Sequence, residues 1–291
     1  MFHRVAIVGL GLIGGSLGLA LRQRRAVEQV AGYDLGQGVS EQARRIGAID
    51  QPYSALADAV RGAELIILAT PVGAMRALLQ SLATIAPPGV VITDVASTKS
   101  QVISWAEEFL PGNVYFVGGH PMAGKEVSGV AAADPALFHD RIYCLTPTKK
   151  TSPVALNKVS VMIETIGGRV RFLEPAEHDG QVARVSHLPF LAAAALMKTV
   201  GESSSWADAS LLASSGFRDT TRLAAGSPEM HRDICLTNSE TLVRVLDEYM
   251  AALQVFRAGI AAHDPLLNEL FARAQEQRQH WQPAYERDTR T

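Results

Sequence analysis

The sequence predicts an α/β fold, a doubly wound and mostly parallel sheet followed by an all-helical domain. Short, β-branched apolar runs alternate with helix-length segments up to Pro175. A glycine-rich turn joins the first run to the first helix. After Pro175 no further run has strand character, and the pattern is helical. Strand and helix in alternation mean βαβ units and an open sheet.

The apolar runs are VAIVG (5–9), QVAGYD (29–34), ELIILAT (64–70), GVVITDVA (89–96), VYFVGG (114–119), RIYCLTP (141–147) and GRVRFLEP (168–175). Most are apolar on both faces, as strands buried in a parallel sheet require. Helices are expected between them at 14–25, 40–46, 73–84, 97–109 and 152–166. The segment 178–200 reads as a long buried helix, irregular near Pro189. Helical character continues at 207–213, 217–224, 229–252 and 255–270. Ser227 followed by Pro228 marks a helix start, with serine as the cap and proline at the first position. The polar stretch from Ala272 is expected to fray. The expected domains are therefore 1–175 and 176–291.

Composition sets limits on function. At 291 residues and 47% hydrophobic, the chain can build about two cored domains. A net charge of -2 offers no bulk attraction to nucleic acid or an anionic membrane. Two cysteines, Cys144 and Cys235, lie far apart, which fits a reducing cytoplasm and excludes a clustered zinc site. The glycine-broken start, with no cleavage signal after it, is not expected to be a secretory leader. No apolar stretch is long enough to predict a transmembrane helix.

The glycine turn reads Gly9-Leu-Gly11-Leu12-Ile13-Gly14, a G-x-G-x-x-G between a strand and a helix. The first glycine permits the tight turn, the second lets a pyrophosphate approach the backbone, and the third lets helix pack on strand. The helix N-terminus supplies a favourable dipole for phosphate. Asp34 ends the second run, where a carboxylate holds ribose hydroxyls and repels a 2′-phosphate. These features predict a Rossmann-like domain that binds NAD rather than NADP. Ala69, Thr70 and Pro71 end the third run and are expected along the same crevice.

Two further strand ends carry chemistry. Asp94-Val-Ala-Ser97-Thr-Lys99 follows one, and Gly119-His120-Pro121 follows the next. Both belong on the crevice edge of the sheet. A histidine there suits a base that takes a hydroxyl proton as hydride leaves the same carbon. Ser97 is placed to orient it. In the helical part, His187 sits in Val-Ser-His-Leu-Pro, and Arg218, Asp219 and Arg222 sit in SGFRDTTR. An arginine fork for a substrate carboxylate is one reading of that group; a surface ion pair between Asp219 and Arg222 is the other.

Taken in order, GLGLIGGSL, ATPV, DVASTK, GGHPMAG, HD…VSHLP and SGFRDTTR resemble the prephenate/arogenate dehydrogenase family of tyrosine biosynthesis. The resemblance extends to about residue 270. It implies oxidative decarboxylation of prephenate to 4-hydroxyphenylpyruvate with hydride transfer to NAD, or of the amino analogue arogenate to tyrosine. It further implies that His120 acts on the ring hydroxyl with Ser97 as its polar partner. Arg222 then grips a carboxylate, with His187, Lys99 and Asp219 also at the substrate. Family members form homodimers through the helical domain, and the same is expected here. Two departures are notable. His231 stands where many relatives carry tryptophan, and the regulatory domain of some members is not expected after the helical domain. Tyrosine inhibition would then fall at the active site. A β-hydroxyacid dehydrogenase is the rival enzyme, but the lysine it needs four residues after Gly180 is Arg184. A non-catalytic NAD-binding protein, or an enzyme for the 4-amino-4-deoxy analogue, are the remaining alternatives.

Overall fold

The computed structural model describes residues 2–125 and 127–288, with side chains to Trp281. It divides into two compact units, one ending at Ser239 and one starting at Glu240. Strands and helices alternate first: β1 (Phe2–Val8), α1 (Leu12–Gln23), β2 (Val27–Tyr33), α2 (Val39–Arg45), β3 (Gln51–Tyr53), α3 (Leu56–Val60), β4 (Leu65–Leu68), α4 (Met75–Ile85), β5 (Val91–Asp94), α5 (Ser100–Phe109) and β6 (Tyr115–Pro121). Then come β7 (Ile142–Thr146), α6 (Pro153–Thr165) and β8 (Arg169–Phe172).

The sheet runs β3-β2-β1-β4-β5-β6-β7-β8. All neighbours are parallel except β6 and β7, whose antiparallel register sets His120 opposite Cys144. The expected mostly parallel, doubly wound sheet is therefore present. Its chain order reverses between β1 and β4, and ligands of open α/β sheets bind outside the strand carboxyl ends at such a point.

Period-two alternation explains why the central strands are apolar throughout. Val5, Ile7, Leu65 and Ile67 face one core layer with Leu17 and Leu21 of α1 and Val159 and Ile163 of α6. Ala6, Val8, Ile66 and Leu68 face the other, with Met75, Leu79 and Leu82 of α4 and Val102 and Ala106 of α5. Each strand feeds two layers, so both of its faces exclude water.

Every described element after β8 is helical: α7 (Pro175–Val182), α8 (Leu188–Gly201), α9 (Trp206–Ser210), α10 (Ser215–Thr221), α11 (Pro228–Thr237), α12 (Ser239–Ala262) and α13 (Leu266–Asp288). The irregularity expected near Pro189 is a π-helical turn at Ala183–His187 joining α7 to α8. Proline has no N–H for the carbonyl a turn earlier, and a widened turn absorbs the mismatch. Ser227 caps α11 through its hydroxyl, which accepts from the Met230 N–H, with Pro228 next in line, as the sequence predicts. The single helix expected over 229–252 is instead broken at Asn238. Helix α13 carries on past Ala272, where a frayed tail was expected.

Candidate active site

The glycine turn is shaped by close backbone contacts and leaves one open space. Gly9 adopts φ +92, and a Cβ there would lie 2.5 Å from the Ala69 carbonyl oxygen. A Cβ on Gly14 would lie 1.9 Å from the Gly9 carbonyl oxygen. Around Gly11, its own two chain neighbours apart, no described atom comes within 4 Å of a Cβ position. Gly11 is also the N-cap of α1, so the first-turn N–H groups at Leu12 and Ile13 are left without helical acceptors. An open approach to unsatisfied N–H groups at the positive end of a helix fits a dinucleotide pyrophosphate.

Asp34 follows β2 and ties this turn down. One carboxylate oxygen accepts from the Leu10 N–H at 2.7 Å and the other from the Gly36 N–H at 2.7 Å. Each oxygen keeps a second lone pair, which is the capacity a ribose hydroxyl needs. Ala69 continues β4 by donating to the Val8 carbonyl at 2.7 Å and lies with the half-buried Thr70 beside Gly9, and the exposed Pro71 follows them.

The ends of β5 and β6 are joined by a buried ion pair. Lys99 and Asp94 are both fully buried and paired with each other. Lys99 Nζ also donates to the Gly119 carbonyl at 2.6 Å, and Asp94 accepts from the Gly119 N–H at 3.0 Å. Burial pulls the Lys99 pKa down and Asp94 opposes it. Lys99 was expected at the substrate. With its ammonium enclosed and committed to Asp94 and Gly119, it instead braces the backbone immediately before His120.

His120 is nearly enclosed, at 9% exposure. Burial holds its pKa well below the ordinary value, and His178, Lys99 and His187 push the same way. It is thus a neutral imidazole at neutral pH. Its Nδ1 lies 2.9 Å from His178 Nε2. His178 Nδ1 lies 2.9 Å from Asp179 Oδ1. Asp179 accepts at 2.8 Å from each of the Lys99 and Ser100 N–H groups, which open α5. Burial alone would raise the Asp179 pKa, but hydrogen bonds from His178 and from Ser100 and Lys99 hold it below its usual value. The polar partner of His120 is therefore His178, in the place expected for Ser97. Ser97 lies half-buried on the segment between Asp94 and Lys99.

His187 is buried at the end of the π turn, its pKa lowered to about 4, chiefly by burial. Asn238 donates to the Asp179 carbonyl at 3.0 Å, and the same amide nitrogen is 3.5 Å from His187 Nδ1. Phe190 stacks on His231 with ring centroids 4.1 Å apart and 6° between planes. The Arg222–Ala225 turn packs on α8, the helix that carries Phe190, and Arg222 itself is exposed. Asp219 accepts from Arg218 Nε at 3.1 Å, both side chains being exposed.

Sequence reasoning passed over several groups that hold these parts together. His178 and Asp179 stood in the quoted motif without a role. Asp233 accepts from the Gly73 N–H at 3.1 Å, and Thr237 meets Thr98 at 2.8 Å, docking α11 beside the strand ends. Among the described residues, no group of three or more His, Cys, Asp or Glu side chains could hold a metal ion. None of the described helices is long and apolar enough to cross a membrane.

Comparison with known proteins agrees with this architecture. Residues 17–172 match the family described as prephenate dehydrogenase, nucleotide-binding domain, and residues 174–273 match prephenate dehydrogenase, dimerization domain. The chain is 36% identical to the prephenate dehydrogenase of Bacillus subtilis over 91% of its length and 72% of that protein's. It is similar in structure to the prephenate dehydrogenase of Aquifex aeolicus in complex with hydroxyphenyl propionate and NAD+, with TM-score 0.90, 31% identity, and 96% and 98% of the two chains covered. Synechocystis arogenate dehydrogenase is a further structural relative, with TM-score 0.80, 33% identity, and 96% and 99% covered.

Proposed function

The chain belongs to the prephenate dehydrogenase family, and on that premise we propose that it oxidises and decarboxylates prephenate to 4-hydroxyphenylpyruvate, with NAD as hydride acceptor. The observation that carries this reading is His120, a buried neutral imidazole at a strand end of the sheet that also carries the glycine cradle. NAD supplies the hydride-accepting ring when bound. Gly9, Gly11 and Gly14 admit its pyrophosphate to the backbone, with Leu12 and Ile13 offering N–H groups. Asp34 accepts from the ribose hydroxyls, and Ala69, Thr70 and Pro71 flank the cofactor's path.

His120 takes the proton of the ring hydroxyl as hydride leaves the same carbon. Its neutrality is the form this needs. Loss of carbon dioxide then aromatises the ring and makes the reaction effectively irreversible. Arg222 grips the carboxylate that stays, since a guanidinium fork matches carboxylate geometry. His187 lines the substrate side, Asp219 helps to set the local charge around Arg222, and Ser97 meets the reacting hydroxyl. Enclosure of His120 also excludes water, which strengthens each of these polar contacts.

Arogenate is the second substrate to consider, because an arogenate dehydrogenase is among the structural relatives. It differs from prephenate only in the side chain remote from the reacting carbon. We assign 1–175 to cofactor binding and 176–291 to substrate binding and dimerisation. A homodimer is supported by the family description of residues 174–273 and by exposed apolar side chains such as Leu253, Ile260 and Phe271. We place the enzyme in the cytoplasm, where both of its unpaired cysteines stay reduced.

The test is a set of initial rates followed by reduced-cofactor absorbance, with prephenate and arogenate each offered NAD and NADP. Turnover of prephenate with NAD is expected. Preference for NADP would overturn the reading of Asp34, and turnover of neither substrate would overturn the assigned reaction.

A further inference from the structure

Asp179, His178 and His120 form an unbroken line of hydrogen-bonding atoms behind the proposed base. Both links are 2.9 Å, and Asp179 and His178 are at most 2% exposed. The line is anchored by the two N–H groups that open α5, each 2.8 Å from an Asp179 oxygen. An ionised carboxylate can only accept, so a nitrogen facing it must carry hydrogen.

We propose that Asp179 and His178 are positioning residues that fix the tautomer of His120, leaving Nε2 as its only basic atom. His178 Nδ1 donates to Asp179, and a His178 ring that carries hydrogen there alone has a bare Nε2. That nitrogen accepts from His120 Nδ1–H. His120 Nε2 is therefore unprotonated and available to the crevice. When the substrate hydroxyl gives its proton to Nε2, His120 becomes an imidazolium with both nitrogens protonated. Its Nδ1–H bond to His178 strengthens at that moment, and the Asp179 carboxylate lies one ring further along to balance the charge. No proton needs to leave His178. This is the logic of a base oriented by a third group, here with a second imidazole inserted before the carboxylate. A Leu at position 178 would leave His120 free to place its proton on either nitrogen.

The inference rests on the proposed role of His120, but it can be tested apart from that role. Long-range proton–nitrogen spectra of protein labelled with ¹⁵N at histidine report which ring nitrogen carries hydrogen. The signals of His120 are identified by their loss in His120→Asn. Above neutral pH, wild-type His120 should show hydrogen on Nδ1 and a bare Nε2. Hydrogen on Nε2 instead, as a doubly protonated His178 donating to His120 would impose, overturns the inference. In His178→Leu the His120 signals should become those of a tautomer mixture, and kcat should fall on the order of 10²-fold with NAD affinity unchanged. His178→Gln, whose Oε1 restores an acceptor at about the reach of Nε2, should recover kcat to within about tenfold of wild type. A His178→Leu protein with wild-type kcat, or with His120 still protonated only at Nδ1, refutes the positioning role. Absence of prephenate turnover in a protein whose His120 shows the expected tautomer would count against the function and not against the relay.

Discussion

Gly11 and Gly14 look alike in the fingerprint, yet substituting alanine at each should fail in opposite ways. At Gly14 the new Cβ would lie 1.9 Å from the Gly9 carbonyl oxygen and 3.1 Å from Ala69 Cβ. A carbon–oxygen contact settles at about 3.3 Å, so α1 or the glycine turn must move by roughly 1.4 Å. Overpacking of this kind costs about 1–3 kcal/mol. In a protein of this size each kcal/mol lowers Tm by about 2–4 °C, so Gly14→Ala should melt about 2–12 °C low without cofactor. At Gly11, its own two chain neighbours apart, no described atom lies within 4 Å of the Cβ position. The only intrinsic cost is that of alanine as an N-cap, under about 1 kcal/mol, and Tm should fall by less than about 4 °C. The methyl group instead occupies the approach of the pyrophosphate. A tenfold or greater rise in NAD Kd is expected, equivalent to about 1.4 kcal/mol. Melting curves without cofactor and NAD titrations by intrinsic fluorescence read the two effects separately. Gly11→Ala with wild-type NAD affinity would refute the assignment of that opening to the cofactor. Gly14→Ala with wild-type Tm would refute the packing argument.

Acid should destabilise the fold through His187: its folded pKa of about 4 lies below the unfolded value of ~6.5, so the unfolded chain binds the extra proton first. About 3 kcal/mol should be lost through His187 as pH falls from ~6.5 to ~4, seen as a falling urea midpoint, and His187→Asn should make that dependence shallower, with His120 still contributing in the same direction. A wild-type urea midpoint that stays level over this range would contradict the burial of a neutral His187. Lys99→Met should cost about 3–5 kcal/mol by leaving Asp94 buried without its cation, and Asp94→Asn in the same chain should recover much of it; urea unfolding measures both, and near-neutral Lys99→Met would remove the brace. Arg222→Ala should raise the KM for prephenate by tenfold or more with kcat changed far less, since an ionic contact made equally in substrate and transition state acts on binding. A wild-type KM in that variant would dismiss Arg222 as the carboxylate fork.

What was legible in the sequence was mostly what is local. The alternation of Val5, Ala6, Ile7 and Val8 states that β1 serves two core layers, and the structure shows both layers. The Ser227-Pro228 cap needs only neighbouring residues and was readable for that reason. Strand β3 was not, because Gln51–Tyr53 is three residues long with a proline in the middle and has no period to detect. The break at Asn238 was hidden because helical periodicity resumes after it; its amide is spent on the Asp179 carbonyl and His187, contacts made across the fold. Position at strand ends brought His120, Lys99 and Asp94 to notice, but burial decides their roles and burial is not written in spacing. Lys99 is set at the substrate by the family resemblance alone, and because a lysine is ordinarily solvated its enclosure has no signal in the sequence. His178 lies 58 residues from His120, and only the packing of α7 against α5 and β7 makes them partners.

His120→Asn tests the central claim most directly, because asparagine keeps a polar side chain at the end of β6 but cannot take a proton at neutral pH. Steady-state rates with prephenate and NAD, alongside NAD titration of the same protein, are the measurement. The account predicts a kcat lowered on the order of 10²–10⁴-fold with NAD affinity unchanged. A variant that turns over prephenate at the wild-type rate would contradict it and remove His120 from the chemistry.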